Sequence, residues 1–346
     1  MIVEDYLSVI EVTNSYTARR SEAAVAAVLP PSVRIRRARE DGHAIDLELN
    51  GQPITVEWLG EGGLRQAREL LTGRKDRPDI AAARHMSPGA RKALSAAGIG
   101  WVDETGAAEI ALESLIVSRS GHRIKVTQKS RRWSPSVLAV AEALLCGGRA
   151  TVGAMQETTG LSAGSATNAL RTLTDLELIG AEARRGRNSA RRIPDHDRLL
   201  DAYAAAAASM MPETALTVGV TWRDPATALA ETGRRWTDTG ISWAATSAVA
   251  ASALAPYLTS VATAEVYVDR KTIAGLEEVA AKAGLQPIEG GRLTLRPFPT
   301  VTARQLAVVK NGLNLAPWPR VYADLRVVGV RGEEAAEHLR DVIRGR

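Results

Sequence analysis

Between Ser162 and Thr172 the chain spaces hydroxyls, an amide and a guanidinium at helical intervals: Ser162, Ser165, Asn168, Arg171 and Thr172. These groups suit the floor of a DNA major groove. Arginine's fork matches the two acceptors of guanine, asparagine's amide matches the donor–acceptor edge of adenine, and hydroxyls adapt to either. Further on, Arg184, Arg185, Arg187, Arg191 and Arg192, with Asn188 among them, put five cations and no acid between Ala183 and Pro194. Such a cluster suits phosphates beside a groove. Upstream, Lys129, Arg131 and Arg132 belong to a second acid-free run, Ser118–Trp133, which carries six basic residues. Thr151 adds a hydroxyl between the two runs. The chemistry implied is recognition of double-stranded DNA.

The elements that must position these groups are legible from caps and periodicity. Ser134-Pro135 is an N-cap followed by proline at the first helical position, where its missing N–H costs nothing. Val137, Leu138, Val140, Ala141, Leu144 and Leu145 recur at helical spacing until Gly147-Gly148 stops the helix. Thr151 caps a second, short helix through Thr158. Gly160-Leu161-Ser162 is a turn glycine, a buried leucine and a cap for a third helix. On that helix Ala166, Ala169, Leu170, Leu173 and Leu176 face inward, leaving Ser165, Asn168, Arg171, Thr172 and Asp175 outward. Two short strands joined at Gly186-Arg-Asn-Ser189 would follow as a wing. The whole predicts a winged helix-turn-helix over 134–200.

Upstream, residues 1–117 alternate helix and strand signals. Asn50-Gly51 joins a hairpin of Ala44–Asn50 and Pro53–Trp58. Asp46 on one strand and Glu57 on the next are candidate ligands for Mg²⁺, the pairing that activates water for phosphodiester cleavage, with Glu22 as a possible third acid. The triplet Glu57-Trp58-Leu59 has leucine where a supporting lysine would stand. The order of elements resembles the restriction-endonuclease-like fold, whose motif requires that lysine, so this domain is expected to be inactive.

Composition bounds the rest. The 346 residues carry a net charge of +5, but Ser118–Leu200 alone holds fourteen basic and seven acidic residues. A local excess of that kind is the footprint of a nucleic-acid site. Arginine outnumbers lysine 37 to 7, a skew that fits a GC-rich bacterial genome. The lone Cys146 rules out an internal disulfide and any cysteine-based zinc finger; it reads as a small core residue. Five histidines at 43, 85, 122, 196 and 338 show no ligand spacing. Neither a P-loop nor a dinucleotide fingerprint is present, so no cofactor is expected. The N-terminal run lacks a basic region ahead of an apolar core, which argues against a signal peptide. Ile241–Leu258 is uncharged but rich in Ala, Ser and Thr, and reads as a buried helix. No membrane contact is expected, and the protein reads as cytoplasmic, associated with the nucleoid.

Beyond Asp201 helix and strand signals alternate again, with strands expected at Leu216–Trp222, Ala264–Asp269, Arg292–Arg296 and Arg320–Leu325, and a last helix at Gly332–Ile343. Val321-Tyr322-Ala323-Asp324-Leu325, Arg331-Gly332-Glu333-Glu334-Ala335-Ala336-Glu337-His338-Leu339, the Arg184–Asn188 run, and Ser87–Arg91 with Gly98–Asp103 resemble the AbiEi-type antitoxin and transcriptional regulator family of bacteria. That resemblance implies a DNA-binding winged helix coupled to a C-terminal domain, sometimes repressing a toxin operon. The expectation is a multidomain α/β chain: a nuclease-like α/β domain at 1–117, a basic linker at 118–133, the winged helix at 134–200 and a C-terminal α/β domain at 201–346. Its function would be sequence-specific transcriptional regulation. The alternatives are an antitoxin that blocks a partner protein, or a metal-dependent nuclease delivered by its winged helix. Partner contacts or self-association would fall to the flanking domains.

Overall fold

A computed structural model of the chain describes residues 17–41, 44–73, 77–113, 115–121, 133–181, 191–258 and 261–345. Among these it is mixed α/β, with 13 helices and two mixed seven-stranded sheets. It divides into two compact units, Met1–Lys125 and Val126–Arg346.

The first unit is one sheet between helical layers. Helix α1 (17–28) precedes the strands β1 (Ile35–Asp41), β2 (Ala44–Leu49) and β3 (Gln52–Trp58), which form an antiparallel meander. Asn50 and Gly51 take φ of 51° and 88°, the left-handed pair that a two-residue hairpin turn needs. Helix α2 (Leu64–Gly73) then crosses to β4 (Ile80–Ala83), and α3 (Pro88–Ala96) crosses to β5 (Gly100–Asp103). The pairs β3–β4 and β4–β5 are therefore parallel, while β6 (Ala108–Leu112) and β7 (Leu115–Arg119) return antiparallel. Alternation along β2 and β3 sends Ile45, Leu47, Leu49, Ile54 and Val56 to one face, where Val25 and Val28 of α1 cover them. The opposite face meets α2 and α3 through Ala67, Leu70, Ala90 and Leu94.

Asp103, fully buried, holds the far end of this sheet together. It accepts from the amides of Met86 at 3.0 Å and Thr105 at 2.9 Å and from the Arg91 guanidinium at 3.3 Å. That guanidinium lies 4.6 Å from the Trp101 ring centre. Ser87 caps α3 by accepting from the Ala90 amide at 3.2 Å. The Ser87–Arg91 and Gly98–Asp103 runs thus do structural work.

The second unit begins with α4 (Pro135–Leu145), α5 (Val152–Thr159), α6 (Ala163–Asp175) and a short antiparallel pair, β8 (Gly180–Ala181) with β9 (Arg191–Arg192). Ser134, Thr151 and Ser162 all cap through their hydroxyls. Gly160 ends α5 at φ 66°. Cys146 is exposed at the C-cap of α4, not in the core: the helix's inward face is already filled by Leu144 and Leu145.

Helix α7 (His196–Ser209), capped by Asp195, runs through the boundary expected at 200/201. After it come β10 (Leu216–Gly219), α8 (Pro225–Asp238), β11 (Trp243–Thr246), α9 (Ser247–Leu254), β12 (Ala264–Val268), α10 (Ile273–Lys282), β13 (Gln286–Pro287), β14 (Leu293–Pro297), α11 (Val301–Gln305), β15 (Val308–Lys310), β16 (Leu313–Leu315), α12 (Trp318–Arg326) and α13 (Val330–Ile343). The strands lie in the order β13-β10-β14-β12-β11-β16-β15. One continuous core runs from Val137 and Leu144 of α4 through Leu199 and Tyr203 of α7 to Val266 and Leu339.

Two sequence expectations are overturned here. Arg320–Leu325 is helical, as the middle of α12. Its alternation of polar and apolar types imitates a half-exposed strand, yet Pro319 through Leu325 are all buried, and the polar members find partners inside the unit. The uncharged run after Ile241 is a strand followed by a helix, broken at Ser247 with φ 55°. No helix of the described residues is long and apolar enough to cross a membrane.

Candidate nucleic-acid interface

The inward positions expected for α6 hold: Ala166, Ala169, Leu170 and Leu173 are buried, and Leu176 packs against the same core. Asn168 and Arg171 are exposed one helical turn apart. Arg171 donates through Nη2 to Asn168 Oδ1 at 2.8 Å. That bond points the Asn168 NH₂ group away from Arg171 and leaves the remaining guanidinium N–H groups open, so the two side chains form one donor-rich unit. Helix α6 carries no acid before Asp175.

The hydroxyls divide into different tasks. Ser162 accepts from the Ser165 amide at 3.2 Å and donates to Ser165 Oγ at 3.0 Å. Thr151 accepts from the Ala154 amide at 3.3 Å. Thr172 donates to the carbonyl of Asn168 at 2.9 Å. Thr151 and Ser162 are therefore caps first, and any contact they make with a ligand is secondary.

Sequence reasoning read Ser134 as a cap alone and gave Ser136 no role. The structure gathers both with Val137, Ser165, Asn168, Ala169 and Thr172 around a groove of ≈ 220 Å³ between the first turn of α4 and the outer face of α6. Hydroxyls and an amide line it, with no carboxylate. The one local signal that could have found it is the second hydroxyl of Ser134-Pro135-Ser136, which a cap does not need.

Arg191 and Arg192 lie on β9, opposite Ala181 and Gly180. An isolated bridge from Arg191 to Ala150 ties this pair to the residue just before the α5 cap. Lys129, Arg131, Arg132, Arg184, Arg185, Arg187 and Asn188 lie outside the described residues. Trp133, beside the basic run, is half-buried and packs on the second unit's core.

In the first unit Asp46 pairs across the sheet with Thr55, and Glu57 with Ala44. Both carboxylates stand on the face away from α1, diagonally placed. Thr55 donates to Asp46 at 2.9 Å. Glu22 does not join them: it pairs with Arg37 on the α1 side. Leu59, at the lysine position of the motif, is 7% exposed and belongs to the core under α2 and α3. No group of three or more potential metal ligands occurs among the described residues.

Behind α4 lies a buried polar network that no local pattern announced. Glu142 of α4 accepts from Thr300 Oγ1 at 2.7 Å, and Thr302 Oγ1 donates to the Ala139 carbonyl at 3.1 Å, so α11 is bonded twice to α4. Burial pushes the Glu142 carboxyl up to about 7, against the opposing pull of the Thr300 bond and of Arg320. Asp324 accepts from Tyr267 at 2.7 Å, from Arg320 Nε at 3.0 Å and from Thr246. The Tyr322 hydroxyl sits 2.9 Å from Glu337 and 3.2 Å from Asp201, and Arg326 also bonds Asp201 at 3.0 Å. The Tyr-x-Asp-Leu and Glu-rich segments near the C-terminus are thus interior supports for α4 and α7.

Against known proteins, the chain matches no family model, no curated protein and no solved structure.

Proposed function

We propose that the chain is a sequence-specific transcriptional regulator that binds double-stranded DNA through a winged helix-turn-helix. Helices α4, α5 and α6 would form the three-helix part, with α6 in the major groove and the β8–β9 pair as the base of the wing. The observation that carries this reading is the exposed, mutually bonded Asn168–Arg171 couple on the outer face of α6, whose one acid, Asp175, stands at its C-terminal end. Base reading falls to Asn168 and Arg171, and phosphate contact to Ser134, Ser136, Ser165, Thr172, Arg191 and Arg192. In the sequence, Lys129, Arg131, Arg132, Arg184, Arg185 and Arg187 add six further cations flanking the same segment. The resemblance to AbiEi-type regulators points the same way, and a chain of this kind works in the bacterial cytoplasm.

Selection of bound sequences from a random duplex pool tests the proposal. The expected result is one enriched motif, bound with Kd on the order of 10⁻⁸ M at physiological salt and weakened steeply as salt rises. Equal affinity for random duplex under those conditions would refute it.

A further inference from the structure

Helix α11 has a second side. Its Thr300 cap and Thr302 are bonded to α4, and its next turn supplies Arg304 to a cleft of ≈ 380 Å³ lined by Thr237, Ser242, Trp243 and Asn314. Ile241, Ala307 and the backbone at Gly240 complete the wall. Arg304 is the single charged residue in this lining. Among the described residues no carboxylate pairs with its guanidinium.

Asp269, beside the lining, is held by Arg270 at 2.7 Å and by the Ser242 amide at 3.3 Å, while Asp238, next to Thr237, is exposed. The floor is rigid. The Trp243 indole N–H donates to Thr237 Oγ1 at 3.1 Å, and its ring packs edge-on against Trp236. Near the end of α8 the carbonyls of Arg235, Trp236 and Thr237 accept from the amides of Thr239, Gly240 and Ile241. The cleft is open to solvent and its lining is mostly polar, so an occupant would be small, polar and held chiefly by the one cation.

We infer that this cleft binds a small oxyanion, a carboxylate or phosphate of metabolite size, with Arg304 as its charge partner and Ser242 and Asn314 as orienting groups. Occupation would fix Arg304 and with it α11, whose opposite side is bonded to the first helix of the DNA-reading segment. The site stands on its own geometry; only the consequence for DNA rests on the regulator reading. A ligand would change DNA affinity only by the ratio of its affinities for the two arrangements of α11.

The test is a titration of the full chain, without DNA and at constant ionic strength, with inorganic phosphate and separately with succinate, following the Trp243 indole N–H resonance. The expected result is a saturable shift with Kd near or below about 1 mM for at least one probe. Which of the two saturates distinguishes phosphate from carboxylate. Arg304→Gln should weaken binding at least about tenfold, and Asn314→Asp, nearly isosteric but anionic, should abolish it. Both positions are at least partly exposed, so folding is not at stake. Absence of saturation by both anions up to about 20 mM, or binding by either variant as tight as by wild type, would overturn the site. An Arg304→Gln protein that, with no anion present, loses DNA affinity and salt slope would make Arg304 a DNA backbone contact and overturn the coupling through α11, not the site. Anion binding by a chain that fails to select a DNA motif would leave the site intact and remove the regulator reading alone.

Discussion

At the scale of single residues, Arg171 and Arg192 should behave differently. Arg171→Ala is expected to cost about 1–3 kcal/mol on the selected site and to relax preference at one base pair, as loss of a base contact does. Arg192→Ala should weaken every sequence alike and lower the salt slope by about one. Binding isotherms on matched and mismatched duplexes at several salt concentrations separate the two, and identical behaviour would contradict the assigned geometry. Glu142 makes a prediction of another kind. Its carboxyl rises from 4.5 to about 7 in the fold, so the native state holds the proton more tightly. The group's stabilising contribution is complete below pH 4.5 and is lost as pH climbs through 7, by roughly 3 kcal/mol in all. Urea unfolding at pH 5 and pH 8 should show this loss in wild type and a flatter response in Glu142→Gln; matching slopes would refute it. Asn168 and Arg171 were legible in the sequence because they sit outward on a regular helix, where spacing alone assigns a face. Glu142 was not, since its partner Thr300 lies 158 positions away.

At the scale of elements, caps and turn glycines were the dependable signals. Ser134, Thr151 and Ser162 each cap the helix that the sequence assigned to them. Gly160 holds φ 66° between α5 and α6, a conformation costing other residues roughly 1–2 kcal/mol. Gly160→Ala should therefore destabilise the second unit by about 1 kcal/mol. Most of that is backbone strain, because the added methyl meets the movable end of Gln305 at 3.4 Å. A denaturation midpoint unchanged by the substitution would refute this. Helix α12 escaped detection for a different reason: Arg320, Tyr322 and Asp324 are polar yet buried, and periodicity analysis equates polarity with exposure. Only long-range partners such as Thr246 and Tyr267 make that burial affordable.

At the scale of the molecule, the described chain is two compact units where composition suggested three folded domains and a linker. Periodicity located the helices that precede β9 but could not show that α4 and α7 share a core with the sheet of β10–β16. That continuity comes from apolar contacts far apart in sequence. It predicts that residues 126–346 fold alone with cooperative unfolding, while 134–200 in isolation does not reach a unique structure. The short piece would expose the faces of α4 and α7 that the rest of the unit covers. Amide dispersion in NMR spectra of the two fragments decides the matter; a well-dispersed 134–200 spectrum would contradict the shared core. The first unit, cut after Lys125, should fold by itself, whereas a cut after Val117 would divide β7 and remove two of its five residues.

The Trp236–Trp243 contact has an optical consequence. The ring centres are 5.8 Å apart with planes inclined at 62°. Gly233 keeps them there, since a methyl at that position would fall 1.9 Å from Trp243 Cζ2. Indoles so close mix their excited states, and the mixing splits their circular dichroism into two bands of opposite sign. Trp58 and Trp101 of the first unit instead lie under guanidinium groups, at 4.4 and 4.6 Å, and give no couplet of this origin. Light alone can therefore report when the second unit melts while the first is still folded.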